Sequence, residues 1–134
     1  VDQKDDGSLR SLKGRKCRFD MFEPMGYDIQ KAMPLKEAKA TYGETAPLKR
    51  AYTYKALNRL IQASAADMTK QAMVDLYEAG ERPLLQVHDE LGCSVISADH
   101  AKKIKKVMED AIRLHVPNKC DVDLGPSWGE TIEV

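Results

Sequence analysis

The chain has 134 residues, 43% hydrophobic and 31% charged, with 21 Lys and Arg against 21 Asp and Glu for a formal net charge of zero. That length suits one domain, the composition excludes a disordered chain, and no apolar run approaches the roughly 20 residues of a membrane helix. A neutral total also argues against a protein that holds nucleic acid mainly through an overall basic surface.

Residues 1–7 (VDQKDDG) are polar and read as a ragged lead-in or linker. Leu9 to Phe19 then offers two short strands about a tight turn at Lys13-Gly14. Residues 20–47 contain Pro24, Gly26, Pro34, Gly43 and Pro47, punctuation that breaks long regular structure but leaves room for a short helix over Leu35–Thr41. From Leu48 the pattern changes. Leu57, Ile61, Ala65, Met68, Ala72 and Leu76 recur at spacings of three or four, which predicts a long helix with one apolar face, stopped by Gly80 and Pro83. Leu84–His88 and Leu91–Ile96 read as two strands with Asp89-Glu90 at the tip of the hairpin between them. Ser97 N-caps a second helix carrying Asp99 in its first turn and an apolar stripe of Ala101, Ile104, Met108, Ala111 and Leu114, ended by Pro117. Cys120 to Leu124 alternates as a strand with one buried face, before Gly125-Pro126 and Trp128. The order hairpin, loop, helix, hairpin, helix, strand predicts an α+β fold, with an antiparallel sheet packed against two or more helices.

Cys17, Cys93 and Cys120 are widely spaced and form no CxxC pattern, so they indicate neither a disulfide framework nor a zinc site, and a reducing cytoplasm is the expected compartment. Divided at residue 70, the charge is polarised: 14 basic and 9 acidic residues precede the division, and 7 and 12 follow it. Such a chain can present phosphate-binding and metal-binding surfaces separately. His88-Asp89-Glu90 interrupts an apolar strand pair with three ionisable groups. It is either a polar hairpin turn, or a pair of carboxylates that holds Mg²⁺, a hard cation preferring oxygen ligands and substrate phosphates. Asn58 and Gln62, four residues apart, put two neutral amides on one side of the long helix. They form either a solvated face or a pair of contacts to base edges or sugars.

Asn58-Arg59-Leu60-Ile61-Gln62-Ala63-Ser64-Ala65-Ala66-Asp67-Met68-Thr69-Lys70, followed by Gln86-Val87-His88-Asp89-Glu90, resembles the C-terminal palm region of family A DNA polymerases, the DNA polymerase I type of bacteria and phages. Gly125-Pro126-Ser127-Trp128 is similar to that family's usual ending, and Ser11-Leu12-Lys13-Gly14-Arg15-Lys16 to its segment just after the fingers. The resemblance implies that residues 1–134 form a partial palm subdomain with an insertion at about 20–47. It implies that Asp89 is the second catalytic aspartate and a metal ligand, that Glu90 supports the metal or the primer end, and that His88 contacts the primer terminus. By the same resemblance Asn58 and Gln62 touch the minor groove of primer–template DNA, Arg59 lies among these DNA-binding residues, and Arg15 and Lys16 meet its phosphates. Two Mg²⁺ ions, deoxynucleoside triphosphates and a bacterial or phage-infected cytoplasm complete what it implies.

The chain departs from the family at Tyr54, one helical turn before Asn58, where the family often has an arginine. It contains neither an Asp-Tyr-Ser motif nor a fingers helix with its nucleotide-binding lysine and tyrosine. These belong upstream in the family, so the chain is expected to be the C-terminal part of a polymerase, inactive alone. Two other readings stay open. A His-Asp metal phosphohydrolase shares the His88-Asp89 pair, although His100 and His115 have no matching spacing. A non-catalytic duplex-binding module would use Lys102, Lys103, Lys105 and Lys106.

Overall fold

A computed structural model describes residues 6–26 and 31–134, so most of the polar lead-in and four residues of the expected insertion lie outside the described residues. The chain divides into two compact units, Val1–Ser64 and Ala65–Val134. The expected α+β class holds: among the described residues, three α-helices accompany antiparallel strands distributed over four small sheets.

In the first unit, β1 (Ser8–Arg10) pairs antiparallel with β2 (Lys16–Arg18), setting Leu9 opposite Cys17. The turn falls where Lys13-Gly14 placed it. Gly14 takes a φ of 80°, in the left-handed region open to glycine, and its N–H donates to the Ser11 carbonyl at 2.9 Å. Ser11, buried, closes the loop from both sides: its N–H donates to the Arg15 carbonyl at 2.9 Å, and its hydroxyl accepts from the Arg15 N–H at 3.1 Å.

Next come β3 (Met21–Pro24), β4 (Met33–Pro34), α1 (Leu35–Tyr42) and β5 (Leu48–Arg50), with β3 central between antiparallel β4 and β5. The prolines and glycines of 20–47 therefore break long elements but admit short ones, and α1 matches the expected helix. Among the described residues of this unit, Phe19, Ala32, Ala38 and Ala51 are the buried apolar ones. Three of the four are alanines, which add little apolar area. The Arg50 guanidinium lies 4.9 Å from the Phe22 ring centre and donates to the Phe19 carbonyl at 2.9 Å.

A 3-10 turn at Thr53–Lys55 leads into α2 (Ala56–Glu78), which runs from the first unit into the second. The stop signal works as the sequence suggests. Gly80 has a φ of 85°, its N–H donates to the Tyr77 carbonyl at 3.1 Å, and the Glu81 N–H reaches the Leu76 carbonyl at 2.9 Å, the paired bonds of a Schellman cap. The apolar stripe needs correction. Ala72 and Leu76 are buried, but Leu57 and Ile61 are 69% and 59% exposed, and buried Asp67, nine residues from Leu76, lies on the opposite side of the helix. A period of three to four residues determines which side chains share a face; whether another element covers that face is a separate matter.

In the second unit β6 (Pro83–Val87) pairs antiparallel with β7 (Glu90–Cys93). The last cross-strand pair is Val87 with Glu90, so the two-residue tip is His88-Asp89, one position earlier than expected, and Glu90 belongs to the strand. Ser97 caps α3 (Ala98–Asp110), its hydroxyl accepting from the His100 N–H at 3.1 Å, and Ala101 and Ile104 are buried as their spacing requires. α3 ends at Asp110, seven residues before Pro117. Beyond it the Asn118 amide donates to the Ile112 carbonyl at 2.7 Å and Glu109 accepts from the Cys120 N–H at 3.0 Å, so side-chain bonds replace the helical ladder. The final strand is also shifted and gains a partner: β8 (Asp123–Ser127) pairs with β9 (Glu130–Glu133). The register slips between Leu124 and Ser127, which accommodates Pro126 without a ladder donor.

Candidate functional site

The expected duplex contacts belong to the first unit and the expected metal ligands to the second. In the first unit the β1–β2 loop is fastened to α2 by backbone and side-chain bonds. The Leu12 N–H donates to the Ser64 hydroxyl at 3.3 Å, and the Arg15 guanidinium donates to the Ala63 carbonyl at 2.8 Å. Arg59 reaches back in the opposite sense, donating to the Arg18 carbonyl at 3.1 Å with its guanidinium 4.7 Å from the centre of the buried Phe19 ring. Two arginines expected to meet DNA thus also fix the hairpin against the helix.

Lys16 is ion-paired with Asp6 at 2.5 Å. That ammonium, followed by the Ser8 hydroxyl at 2.7 Å, holds the Asp6 carboxyl down at about 2, well below its usual range. Asn58 and Gln62 are both exposed on α2, one turn apart, and neither side chain has a hydrogen-bond partner among the described residues. Four neutral hydrogen-bonding positions, two donors and two acceptors in kind, therefore face outward beside a loop of basic residues.

In the second unit His88, Asp89 and Glu90 are exposed at the tip of β6–β7. His88 has a φ of 54°, a conformation that costs a residue with a Cβ about 1 kcal/mol or more and that a two-residue hairpin requires at its tip. The Gln86 side-chain amide donates to the His88 carbonyl, bracing the strained residue. The carboxylates of Asp89 and Glu90 have the oxygen chemistry that Mg²⁺ prefers. Among the described residues no group of three His, Cys, Asp or Glu could hold a metal ion. Cys93 and Cys120 are free thiols raised above their usual range, first by burial and then by Glu81 and Glu109 respectively. Among the described residues no helix is long and apolar enough to cross a membrane.

Sequence reasoning missed Ser64 and Phe19, the residues that seat the basic loop, because nothing local marks a long-range partner. It also missed the hydrogen bond between His100 Nε2 and Glu81 Oε1 at 2.8 Å. A local signal for part of it existed: Ser97 and His100 have the spacing of a capping box, with His where Glu or Gln is usual.

The family profile of DNA polymerase family A matches residues 3–130. A DNA-directed DNA polymerase of Pseudomonas phage M6 is 36% identical over 126 residues, covering 94% of this chain and 16% of the phage protein. DNA polymerase I of Deinococcus radiodurans is 45% identical over 86 residues, 57% of this chain and 9% of that protein. DNA polymerase I of Bacillus subtilis is 43% identical over 82 residues, 54% of this chain and 9% of that protein. The chain therefore spans a sixth or less of the length of these relatives.

Proposed function

The chain belongs to DNA polymerase family A, and from that premise we propose that it forms the C-terminal, palm-side part of an enzyme extending a DNA primer with deoxynucleoside triphosphates. The observation that carries this reading is the division of chemistry in the fold. Exposed neutral amides and basic residues share one element pair, and carboxylates project from a braced hairpin tip. Asn58 and Gln62 would meet minor-groove acceptors, which every base pair presents, so they can sense pairing geometry without reading sequence. Arg15, Lys16 and Arg59 would lie along the phosphates, and His88 would meet the primer end. Asp89, supported by Glu90, would be the residue that holds Mg²⁺. Two Mg²⁺ ions, one of them held there, would make the primer 3′-hydroxyl more acidic and stabilise charge on the leaving pyrophosphate. The working compartment would be the cytoplasm of a bacterial or phage-infected cell.

Asp89→Asn in the polymerase that contains this segment should abolish Mg²⁺-dependent primer extension while leaving the melting temperature near wild type. Near-normal turnover in that variant would overturn the metal-ligand role. A polypeptide of these 134 residues alone should incorporate no nucleotide, since the resemblance places the first metal-binding aspartate and the fingers outside them. Against a His-Asp phosphohydrolase, His88-Asp89 sits at a strand turn, and Lys106 of the alternative lysine surface is engaged with Asp110 at 2.6 Å.

A further inference from the structure

We propose that His100 is a positioning residue that clasps the base of the β6–β7 hairpin and so fixes how Asp89 is presented; the functional half of this proposal rests on the metal-ligand reading of Asp89. Both ring nitrogens of His100 are engaged. Nδ1 lies 3.3 Å from the backbone nitrogen of Ile96, and Nε2 lies 2.8 Å from Glu81 Oε1. A backbone N–H can only donate, so Nδ1 must be the accepting nitrogen. The proton of the neutral ring is therefore on Nε2, where it is donated to the Glu81 carboxylate.

These two partners lie on either side of the hairpin in sequence. Glu81 is the residue whose N–H completes the Schellman cap of α2, two positions before β6 begins. Ile96 follows β7 and precedes Ser97, whose hydroxyl accepts from the backbone N–H of the same His100. One imidazole thus joins the end of α2 to the start of α3, the two points from which residues 82–95 are suspended. The pair is well placed to persist, since the His100 and Glu81 side chains are only 21% and 27% exposed. His88 at the tip is strained and braced only locally, by Gln86. Freedom at the base of a two-stranded ribbon therefore displaces the carboxylate at its tip, and positional error at a reacting group costs rate.

The ring proton is read directly from ¹⁵N imidazole resonances of the full chain at neutral pH, which should show Nε2 protonated and Nδ1 bare. Amide exchange at Leu85 and Val87, whose N–H groups point across the hairpin to Gly92 and Glu90, reads the clasp. It should accelerate at least about fivefold in His100→Ala and in Glu81→Ala, the scale of one lost hydrogen bond, and stay near wild type in Glu81→Gln, whose amide oxygen still accepts. Alanine is the better helix former, so faster exchange in His100→Ala is not a loss of helix propensity. In the polymerase containing this segment, His100→Ala should lower the maximal single-turnover incorporation rate per active site with little change in apparent nucleotide affinity. Unchanged exchange in His100→Ala, or a proton on Nδ1, overturns the clasp; the ring spectrum needs no variant and so decides even if His100→Ala fails to fold. Faster exchange with unchanged incorporation overturns the positioning role. If Asp89→Asn retains incorporation while exchange responds as described, it is the metal-ligand reading that fails and the clasp that stands.

Discussion

Arg59→Ala tests whether the β1–β2 hairpin is held to α2 by an arginine that is also an expected DNA contact. Two interactions disappear: the bond from Nη1 to the Arg18 carbonyl at 3.1 Å and the guanidinium contact 4.7 Å from the Phe19 ring centre. An exposed bond from a charged donor contributes roughly 0.5–1 kcal/mol after competition with water, and an exposed cation–π contact about 0.5–1 kcal/mol. Together they should loosen the β1–β2 hairpin by about 1–2 kcal/mol, a factor of about 5–30 in its local opening equilibrium. Native-state amide exchange at Leu9 and Cys17, which face each other across the hairpin, reads that equilibrium without requiring the two units to unfold together. Arg59→Lys should fall between, because an ammonium keeps the charge but loses the planar fork. A double-mutant cycle with Phe19→Leu should return a coupling of about 0.5–1 kcal/mol; a value below about 0.3 kcal/mol, the usual additivity error, would remove the ring contact from the account. Wild-type exchange in Arg59→Ala would refute the anchoring role altogether, leaving Leu12–Ser64 and Arg15–Ala63 as sufficient fastening.

Gly125→Ala should destabilise the β8–β9 hairpin by about 1–3 kcal/mol, seen as a lower melting temperature and faster exchange at Leu124. An added Cβ there would sit 1.8 Å from the Glu130 carbonyl oxygen, and a backbone atom cannot swing aside. A neutral outcome would mean that the two strands do not approach at that point. For Asp6, a carboxyl ¹³C titration should give a midpoint near 2, and Lys16→Met should raise it toward the ordinary 3.8. The folded-state value is the depressed one, so whatever the pair adds to the hairpin is present above about pH 4 and lost as pH falls toward 2. A midpoint indifferent to Lys16→Met would dissociate the shift from the ion pair.

Much of the fold is legible because the decisive signals are local. Gly14 and Gly80 mark backbone that needs a left-handed φ, Ser97 and Asp99 announce a helix start, and the spacing of Ala101 and Ile104 marks a buried face. The candidate site residues are legible by type: neutral amides one turn apart, and carboxylates at a strand turn. Where sequence reasoning failed, the reason is non-local each time. Leu57 and Ile61 share a face with Leu76 yet remain exposed, because periodicity does not supply a covering element. β9 was not foreseen because Glu130–Glu133 has meaning only opposite β8. The hairpin tip moved by one residue because the Val87–Glu90 pairing, not the polarity of Asp89-Glu90, decides where the turn lies.

The opening charge balance divides in the same way. Sequence alone establishes that basic residues dominate before residue 70 and acidic ones after it, since that is a count along the chain. Tertiary structure alone decides how those charges are spent. Arg15 and Arg59 are partly engaged in seating a hairpin, Lys16 is neutralised by Asp6, and Glu81 is held by His100, while Asp89 and Glu90 remain exposed at a tip. What a charge contributes to binding depends on the partners it already holds, and those partners are set by contacts that the sequence order alone does not specify.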